Sequence, residues 1–487
     1  MTEHGSRYRQ VIVLCSDEHD PRHSGFGGSP LVRTPNLDRL AAQSARFTRC
    51  YTPSPICVPA RASLATGRWV HQHRFWDNAL AYDGSIPSYG HVLRRAGVRV
   101  ESIGKLHYRN AELDTGFDRQ QEAMHLAEGT GQVWGSVRDP LPQQGRGGAK
   151  LFAEMGAGES DYNRFDMRVA RAAADWIAQR AADREAGPAM LFVGLVAPHF
   201  PLVVPKEFLD LYPAGSLPMP KLLPRDGYVR HPWVERLATY NSLDDQLGTD
   251  ERRRLAMASY FGLVTFMDRQ VGLVLDALER SGMADDTLVV YTSDHGDNLG
   301  ARGLWNKSVL YRESTGVPML LRGRGITPGT SAANTSLVDL FPTLLDAFGI
   351  GAAPAGLAGQ SLLRQLEQPT PQRWVLSEYH AIGSPSAAFM LARGPWKLHE
   401  YVGYPPELFN LDEDPQELRD LAGSPQHREV LGHLRAFLRS VVDPERIDRL
   451  AKDDQNRLVA AHGGREKALG VGKFGATPVP GAAAAAR

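Results

Sequence analysis

The residues best suited to covalent chemistry lie in the stretch Thr52-Pro-Ser-Pro-Ile-Cys57-Val-Pro59-Ala-Arg61-Ala-Ser-Leu-Ala-Thr-Gly67-Arg68. A Pro-interrupted extended segment delivers the Cys57 thiol to the start of a good helix-forming sequence. Pro59 suits a first helical turn, where its missing N–H costs nothing, and Gly67 suits the residue that ends the helix. Cys57 is thus expected where free backbone N–H groups and the positive end of a helix dipole converge, a setting that favours an anion. Arg61 follows one turn on and can fork two hydrogen bonds to a tetrahedral oxyanion. A free cysteine is more often a small buried hydrophobe, so the pair gains meaning only from what else converges on it.

Four more polar clusters stand at the ends of apolar runs. Asp17-Glu18-His19 follows Val11–Cys15, Lys105-Leu-His107 follows 98–103, His199 follows 190–196, and Asp294-His295-Gly-Asp297 follows 287–292. Runs that are apolar throughout and alternate with helical patterns predict strands of a mostly parallel sheet covered on both faces. In open α/β sheets ligands bind at the carboxyl ends of the strands, so residues 17, 105, 199 and 294 are expected on one rim. Asp17, Asp294 and His295 are hard or borderline ligands, and together they suit a divalent cation: Ca²⁺ first, or Mn²⁺ or Mg²⁺. Singly, an Asp after a strand is a helix cap more often than a ligand, and a lone Lys is usually solvated.

Helical spacing predicts helices over 36–44, 86–96, 164–180, 260–278 and 337–348, with a further strand at 317–321. Beyond residue 372, short segments at 374–378, 388–392, 396–400 and 407–410 are divided by Gly and Pro, as in an antiparallel sheet, and a helix follows at 427–441. Residues 446–487 become polar and then Gly/Ala-rich, a docking or disordered tail. The predicted organisation is a catalytic α/β unit over 1–372 and a C-terminal sheet, helix and tail over 373–487. The segments 145–148 and 213–230 read as loops over the site.

The 487 residues exceed what a single core usually holds. Hydrophobic residues form 42% and charged residues 23% of the chain, as in ordinary soluble proteins. The 55 Lys and Arg balance the 55 Asp and Glu, so no global charge favours nucleic acid or a lipid surface. No run reaches membrane-span length and none near the start makes a signal-peptide core, which points to a cytoplasmic protein. Three cysteines, Cys15, Cys50 and Cys57, suit a reducing compartment.

The pattern Cys57-x-Pro59-x-Arg61, followed by Ser63-Leu-Ala-Thr-Gly67-Arg68, resembles the signature of the type I sulfatases. That resemblance implies an alkaline-phosphatase-like α/β fold with a smaller C-terminal antiparallel α+β domain. It also implies that a formylglycine-generating enzyme oxidises Cys57 to formylglycine. The implied metal ligands are Asp17, Glu18 in place of a usual second Asp, Cys57 in its modified form, Asp294 and His295. Lys105 and His107 resemble the family's Lys-x-His element, and His199 and Lys307 its other cationic contacts.

The implied reaction is hydrolysis of a sulfate monoester to alcohol and sulfate. The hydrated aldehyde attacks sulfur, the alcohol leaves with a proton from His199 or Lys307, and deprotonation by His107 expels sulfate as the aldehyde re-forms. Arg61, Lys105, Lys307 and the metal would stabilise the spreading negative charge.

Residues 407–418 match the closing motif of sulfatase C-terminal domains. Gly104–His107, Asp294–Asp297 and Gly303-Leu-Trp305 look closest to the cytoplasmic choline sulfatases and phosphonate monoester hydrolases, a group whose C-terminal tails help assemble homo-oligomers. Asn78 is similar to a substrate-contacting position of that group, though a turn role fits it equally. Trp76, Tyr108, Phe200 and Trp305 could form an aromatic pocket for a cationic or aryl alcohol, or could be packing residues. Two other readings stay open: a phosphonate monoester or phosphodiester hydrolase using the same site, and a non-catalytic anion-binding protein with an unmodified Cys57.

Overall fold

The computed structural model describes residues 6–145, 151–183, 185–351, 353–472 and 477–480. Its strands in chain order are β1 (Gln10–Asp17), β2 (Ala45–Tyr51), β3 (Arg99–Lys105), β4 (Arg119–Met124), β5 (Met155–Ala157), β6 (Ala189–Pro198) and β7 (Leu202–Val204), followed by β8 (Thr287–Ser293), β9 (Met319–Arg322), β10 (Gly329–Ser336), β11 (Trp374–Tyr379), β12 (Ala388–Arg393), β13 (Trp396–Tyr401) and β14 (Glu407–Asn410). Eight of them form one sheet in the order β10-β2-β9-β8-β1-β6-β3-β4. Pairings are parallel except at β9, which runs against both β2 and β8. The mixed α/β architecture with a mostly parallel sheet is the one read from the sequence.

The central strands are buried on both faces, which explains their unbroken apolar runs. Ile12, Leu14, Leu191, Val193, Val289 and Tyr291 pack beneath the helices Asp161–Ala182 and Asp250–Ser281. Their neighbours Val11, Val13, Met190, Phe192, Leu288 and Val290 face the helices Cys57–Thr66 and Leu340–Ala347. Each such side chain contributes about 1.5–3 kcal/mol when fully buried, so the rim above stands on a rigid floor. The strands β8, β1, β6 and β3 are immediate neighbours; Asp17 and Lys105 are the last residues of β1 and β3, and Asp294 and His199 directly follow β8 and β6.

Close approach at this rim depends on two glycines. Gly104 has φ +99°, and a Cβ there would meet the Gly194 carbonyl oxygen at 2.2 Å. A Cβ on Gly194 would meet the Lys105 carbonyl oxygen at 2.1 Å. Only glycine at both positions lets β3 and β6 bring Lys105 and His199 to the same edge.

Capping residues set the helix ends. Ser160 accepts from Asn163 N at the start of Asp161–Ala182, and Ser88 accepts from His91 N at the start of Tyr89–Arg95. Thr249 accepts from Arg252 N, so the helix expected from residue 260 begins ten residues earlier, at Asp250. Its opening turns are charged, and apolar periodicity does not register them. The helix expected over 337–348 is a 3₁₀ turn, Leu337–Asp339, followed by Leu340–Ala347.

The C-terminal part contains the antiparallel sheet β11-β12-β13-β14. Its apolar face shares one core with Trp69, Val70, Trp233, Leu237 and Tyr311, which lie earlier in the chain. Residues 446–461, read as part of a polar tail, instead belong to a second helix, Pro444–Ala461, capped by Asp443. Ile447, Ala451, Gln455 and Val459 are its buried face at four-residue spacing. Residues 213–230 are irregular with two 3₁₀ turns. Of the loop expected at 145–148, residues 146–148 lie outside the described set, as do 473–476 and 481–487 of the tail.

Candidate active site

Ile56 is extended, and Cys57 opens the helix Cys57–Thr66, every residue of which is buried; Gly67 ends it at φ 64°. The approach to Cys57 is pinned by the C-terminal sheet: Glu378 N donates to Pro53 O (2.8 Å) and Ser54 Oγ to Glu378 O (2.7 Å). One helix N–H expected to be free has a partner, since Val58 N donates to Asn78 Oδ1 at 3.2 Å. Asn78 therefore caps the Cys57 helix, and it also lines the cavity beside it.

Arg61 sits one turn after Cys57, and its guanidinium is fully engaged away from that cavity. Nε donates to Asp294 Oδ2 (2.8 Å), Nη2 to Asp17 Oδ2 (3.0 Å) and Nη1 to Lys105 O (2.9 Å). The expected oxyanion contact is thus replaced by a clamp on the two carboxylates. Lys105 Nζ lies 2.7 Å from Asp17 Oδ2. With both Oδ2 atoms held, the Oδ1 atoms lie toward His295: its Nε2 is 3.8 Å from Asp17 Oδ1 and 3.7 Å from Asp294 Oδ1. Cys57 Sγ is 3.1 Å from the same Nε2 and 3.8 Å from Asp17 Oδ1. His295 Nδ1 pairs with Gly296 O at 3.0 Å, which leaves Nε2 as the lone-pair nitrogen.

Ligand atoms of Asp17, Cys57, Asp294 and His295 accordingly all lie within 4.8 Å of one another, and Asp17, Glu18 and His199 form an overlapping group. Two carboxylates and an imidazole with its lone pair turned inward fit a divalent cation. A third carboxylate oxygen, Glu18 Oε1, is buried with no protein partner, as expected of an atom placed for a ligand.

Positive charge surrounds this cluster. Burial opposes ionisation of Asp17, but Lys105, His199, Arg61 and His295 outweigh it and hold the carboxyl well below its ordinary value. Burial pushes Glu18 up to about 8, against the pull of Lys307, whose Nζ donates to Glu18 Oε2 at 2.9 Å. Burial also lifts the Cys57 thiol to about 12, with Asp17 adding to the rise. His199 and His107 are held well below their ordinary values by burial, reinforced for His199 by Lys307 and Lys105 and for His107 by Lys105 and Arg61.

His199 Nδ1 pairs with Phe200 O at 2.6 Å and its Nε2 lies 3.6 Å from Glu18 Oε2. His107 Nε2 pairs with Thr477 Oγ1 at 2.9 Å, while its Nδ1 is buried without a partner. Cys57, Asn78, Lys105, His107, His199 and Lys307 all line a single cavity. Of the four aromatic candidates, Phe200 and Trp305 also line it. Trp76 and Tyr108 do not: Trp76 Nε1 donates to Asp454 Oδ2 at 2.8 Å and Tyr108 packs edge-on against Tyr82.

Gln132, Asn241 and Asn306 also line the cavity and were not singled out in the sequence. Gln132 and Asn306 lie outside regular helices and strands and Asn241 closes the helix Pro232–Asn241, positions that carry no periodic or motif signal. Thr477 arrives from the tail, where composition alone gave no position.

The family model described as "Sulfatase" matches residues 9–350, and the one described as "N-sulphoglucosamine sulphohydrolase, C-terminal" matches residues 300–443. The chain is 32% identical to the choline-sulfatase of Rhizobium meliloti (strain 1021), covering 92% of this chain and 89% of that protein. It is 28% identical to arylsulfatase K of Bos taurus, covering 90% and 82% respectively. Among solved structures, the phosphonate monoester hydrolase of Silicibacter pomeroyi superposes with a TM-score of 0.70 at 25% identity, covering 88% of this chain and 94% of that one. With the family model spanning the large sheet and all four rim strands, the chain belongs to the sulfatase family.

Proposed function

We propose that the protein hydrolyses sulfate monoesters to alcohol and sulfate, with Cys57, converted to formylglycine, as the attacking residue beside one divalent cation. The observation that carries this reading is the convergence of Asp17, Cys57, Asp294 and His295 within 4.8 Å at the wall of a cavity also lined by Lys105 and Lys307. The cation would be held by Asp17, Asp294 and His295, with Glu18 beside them. Replacing the Cys57 sulfur by oxygen would make the donor set oxygen-rich, as Ca²⁺ prefers. When bound, the cation supplies charge that lowers the pKa of a hydroxyl and stabilises negative oxygens. Formylglycine supplies a geminal diol: one hydroxyl to attack sulfur, and a second whose deprotonation releases sulfate as the aldehyde returns.

The chain's own residues do the rest. Arg61 fixes the two carboxylates in register by their Oδ2 atoms, so their Oδ1 atoms both lie toward His295. Lys105 and Lys307 line the cavity as cations; burial opposes the charge on Lys307, but Cys57 and Glu18 raise its pKa above the ordinary value. The sulfuryl group therefore enters a positive pocket, where fixed charges stabilise the transition state more than they would in solvent. Of the two candidates on this wall, His199 and Lys307, it is Lys307 that keeps a proton to give the departing alcohol oxygen, since burial holds His199 neutral. His107, its Nε2 tied to Thr477, presents Nδ1 as the unengaged nitrogen that receives a proton.

The test compares turnover of an aryl sulfate and an aryl phosphonate monoester by one Ca²⁺-loaded preparation. A clear preference for the sulfate is expected, and a large preference for the phosphonate would reject this reading in favour of its phosphonate-hydrolase rival. Peptide mass spectrometry of the segment holding Cys57 is expected to show the aldehyde or its hydrate; thiol alone would overturn the nucleophile.

A further inference from the structure

Uncharged hydrogen-bonding groups make up much of the cavity wall. Asn78, Gln132, Asn241, Asn306 and Ser308 line it, and no Asp or Glu does so among the described residues. Gln132 Nε2, Asn306 Nδ2 and both side-chain atoms of Asn241 have no close protein partner among the described residues, so their hydrogen-bonding capacity points to solvent or substrate.

The aromatic wall is poorly suited to a cation. Lys307 Nζ already lies 5.4 Å from the Phe200 ring centroid, and Trp134 and Trp305 are the tryptophans that line the cavity. A quaternary ammonium there would meet two lysines and, among the described lining residues, no carboxylate to offset them.

A second chamber shares Asn241, Leu243, Trp305 and Lys307 with this cavity. Two of its acidic groups, Glu235 and Asp244, are paired with Arg230 and Arg253, at 2.9 and 2.8 Å, and Asp245 lines it as well. Thr239 and Ser242 add hydroxyls to its wall. Most of the charge there is paired, and the hydroxyls and the Asn241 amide remain for a ligand beside Asp245 and Lys307.

Resting on the sulfatase reading above, we infer that the alcohol half of the substrate is a neutral saccharide, with its sulfated unit against Gln132, Asn241 and Asn306 and a further unit reaching past Trp305 into the second chamber. Sugar hydroxyls match unengaged amides one for one, and a site built to hydrogen-bond hydroxyls discriminates strongly against an alcohol lacking them.

The experiment measures kcat/KM of the full, Ca²⁺-loaded chain on an aryl sulfate, choline sulfate, a neutral monosaccharide sulfate and the disaccharide extending that same unit. The monosaccharide sulfate is expected to exceed choline sulfate at least tenfold, and the disaccharide to exceed the monosaccharide. Asn241→Leu is expected to lower the disaccharide-to-aryl ratio about tenfold, and the wild-type comparison stands even where that variant fails to fold. Choline sulfate within tenfold of the saccharides, or better, overturns the inference, as does a disaccharide no better than the monosaccharide. In either case turnover of the aryl sulfate leaves the sulfatase reading in place. Loss of turnover on every sulfate ester, by contrast, rejects the sulfatase reading itself.

Discussion

Arg61 offers the sharpest test of how the site is held together. Its three hydrogen bonds, to Asp294, Asp17 and the Lys105 carbonyl, span 2.8 to 3.0 Å, and the guanidinium is 2% exposed. Hydrogen bonds to charged groups contribute about 1.5–3 kcal/mol each, and lysine can satisfy only one carboxylate from that stem. Arg61→Lys is therefore expected to destabilise the chain by about 2–4 kcal/mol, and Arg61→Met by about 3–5 kcal/mol, because two buried carboxylates lose their shared partner.

The loss should be larger in chelator than in saturating Ca²⁺, since a bound cation takes over part of the neutralisation. Urea denaturation of both variants, with and without Ca²⁺, measures it. Inhibition by free sulfate under saturating Ca²⁺ supplies the second arm: a positioning Arg61 leaves the inhibition constant of the lysine variant within about threefold of wild type, whereas a direct oxyanion contact would weaken it tenfold or more. A variant with a stability change under about 1 kcal/mol and a tenfold weaker sulfate constant would refute the clamp.

Other expectations follow from the same geometry. Cys57→Ala should abolish turnover and, with only a small buried atom removed, lower stability by about 1 kcal/mol in denaturant titration. Chelation should silence aryl sulfate turnover and Ca²⁺ should restore it; full activity in metal-free protein by elemental analysis would refute the cation site. Gly194→Ala, whose Cβ would lie 2.1 Å from the Lys105 carbonyl oxygen, should lower the thermal midpoint sharply or prevent folding, and a wild-type midpoint would show that the strands do not approach as described.

Glu378 governs acid stability. Burial opposes its charge, but His71 (2.7 Å) and His380 (3.1 Å) bring its pKa down to about 2 from 4.5. A depressed carboxyl stabilises the fold above its unfolded pKa and loses that contribution as pH falls toward the folded value. About 3 kcal/mol should therefore disappear between roughly pH 5 and 2, and Glu378→Gln should flatten that limb of the stability profile.

The rim was legible in the sequence because central strands of a covered parallel sheet are apolar throughout, and a sudden Asp, Lys or His at the end of such a run stands out. Asp17, Lys105, His199 and Asp294 were found this way. The sheet edges were not: β2 alternates Arg46, Thr48 and Arg49 with apolar residues, and β10 is Gly-Thr-Ser-Ala-Ala-Asn-Thr-Ser, which reads as loop. Arg61 was placed correctly beside Cys57 but assigned to the substrate, because helical spacing gives neighbours along one element and not the carboxylates arriving from two strands. The second C-terminal helix was hidden by its charge, since twelve of the eighteen residues in Pro444–Ala461 are not among its buried face. Trp76 and Tyr108 show the converse, aromatic residues near the site in sequence whose rings are committed to packing.

One consequence concerns timing. Cys57 is 1% exposed at the head of a helix that is covered along its whole length, and its partners reach it from strands ending near residues 17 and 294. No catalyst of protein size could grip that segment once the sheet has closed. On the proposed conversion of Cys57 to formylglycine, the oxidising catalyst would have to meet the Cys57–Arg68 stretch while the nascent chain is still extended, and a molecule that folds first would keep the thiol. The active fraction of any preparation would then be set by a race between maturation and folding, and it could not be raised afterwards by treating the native protein.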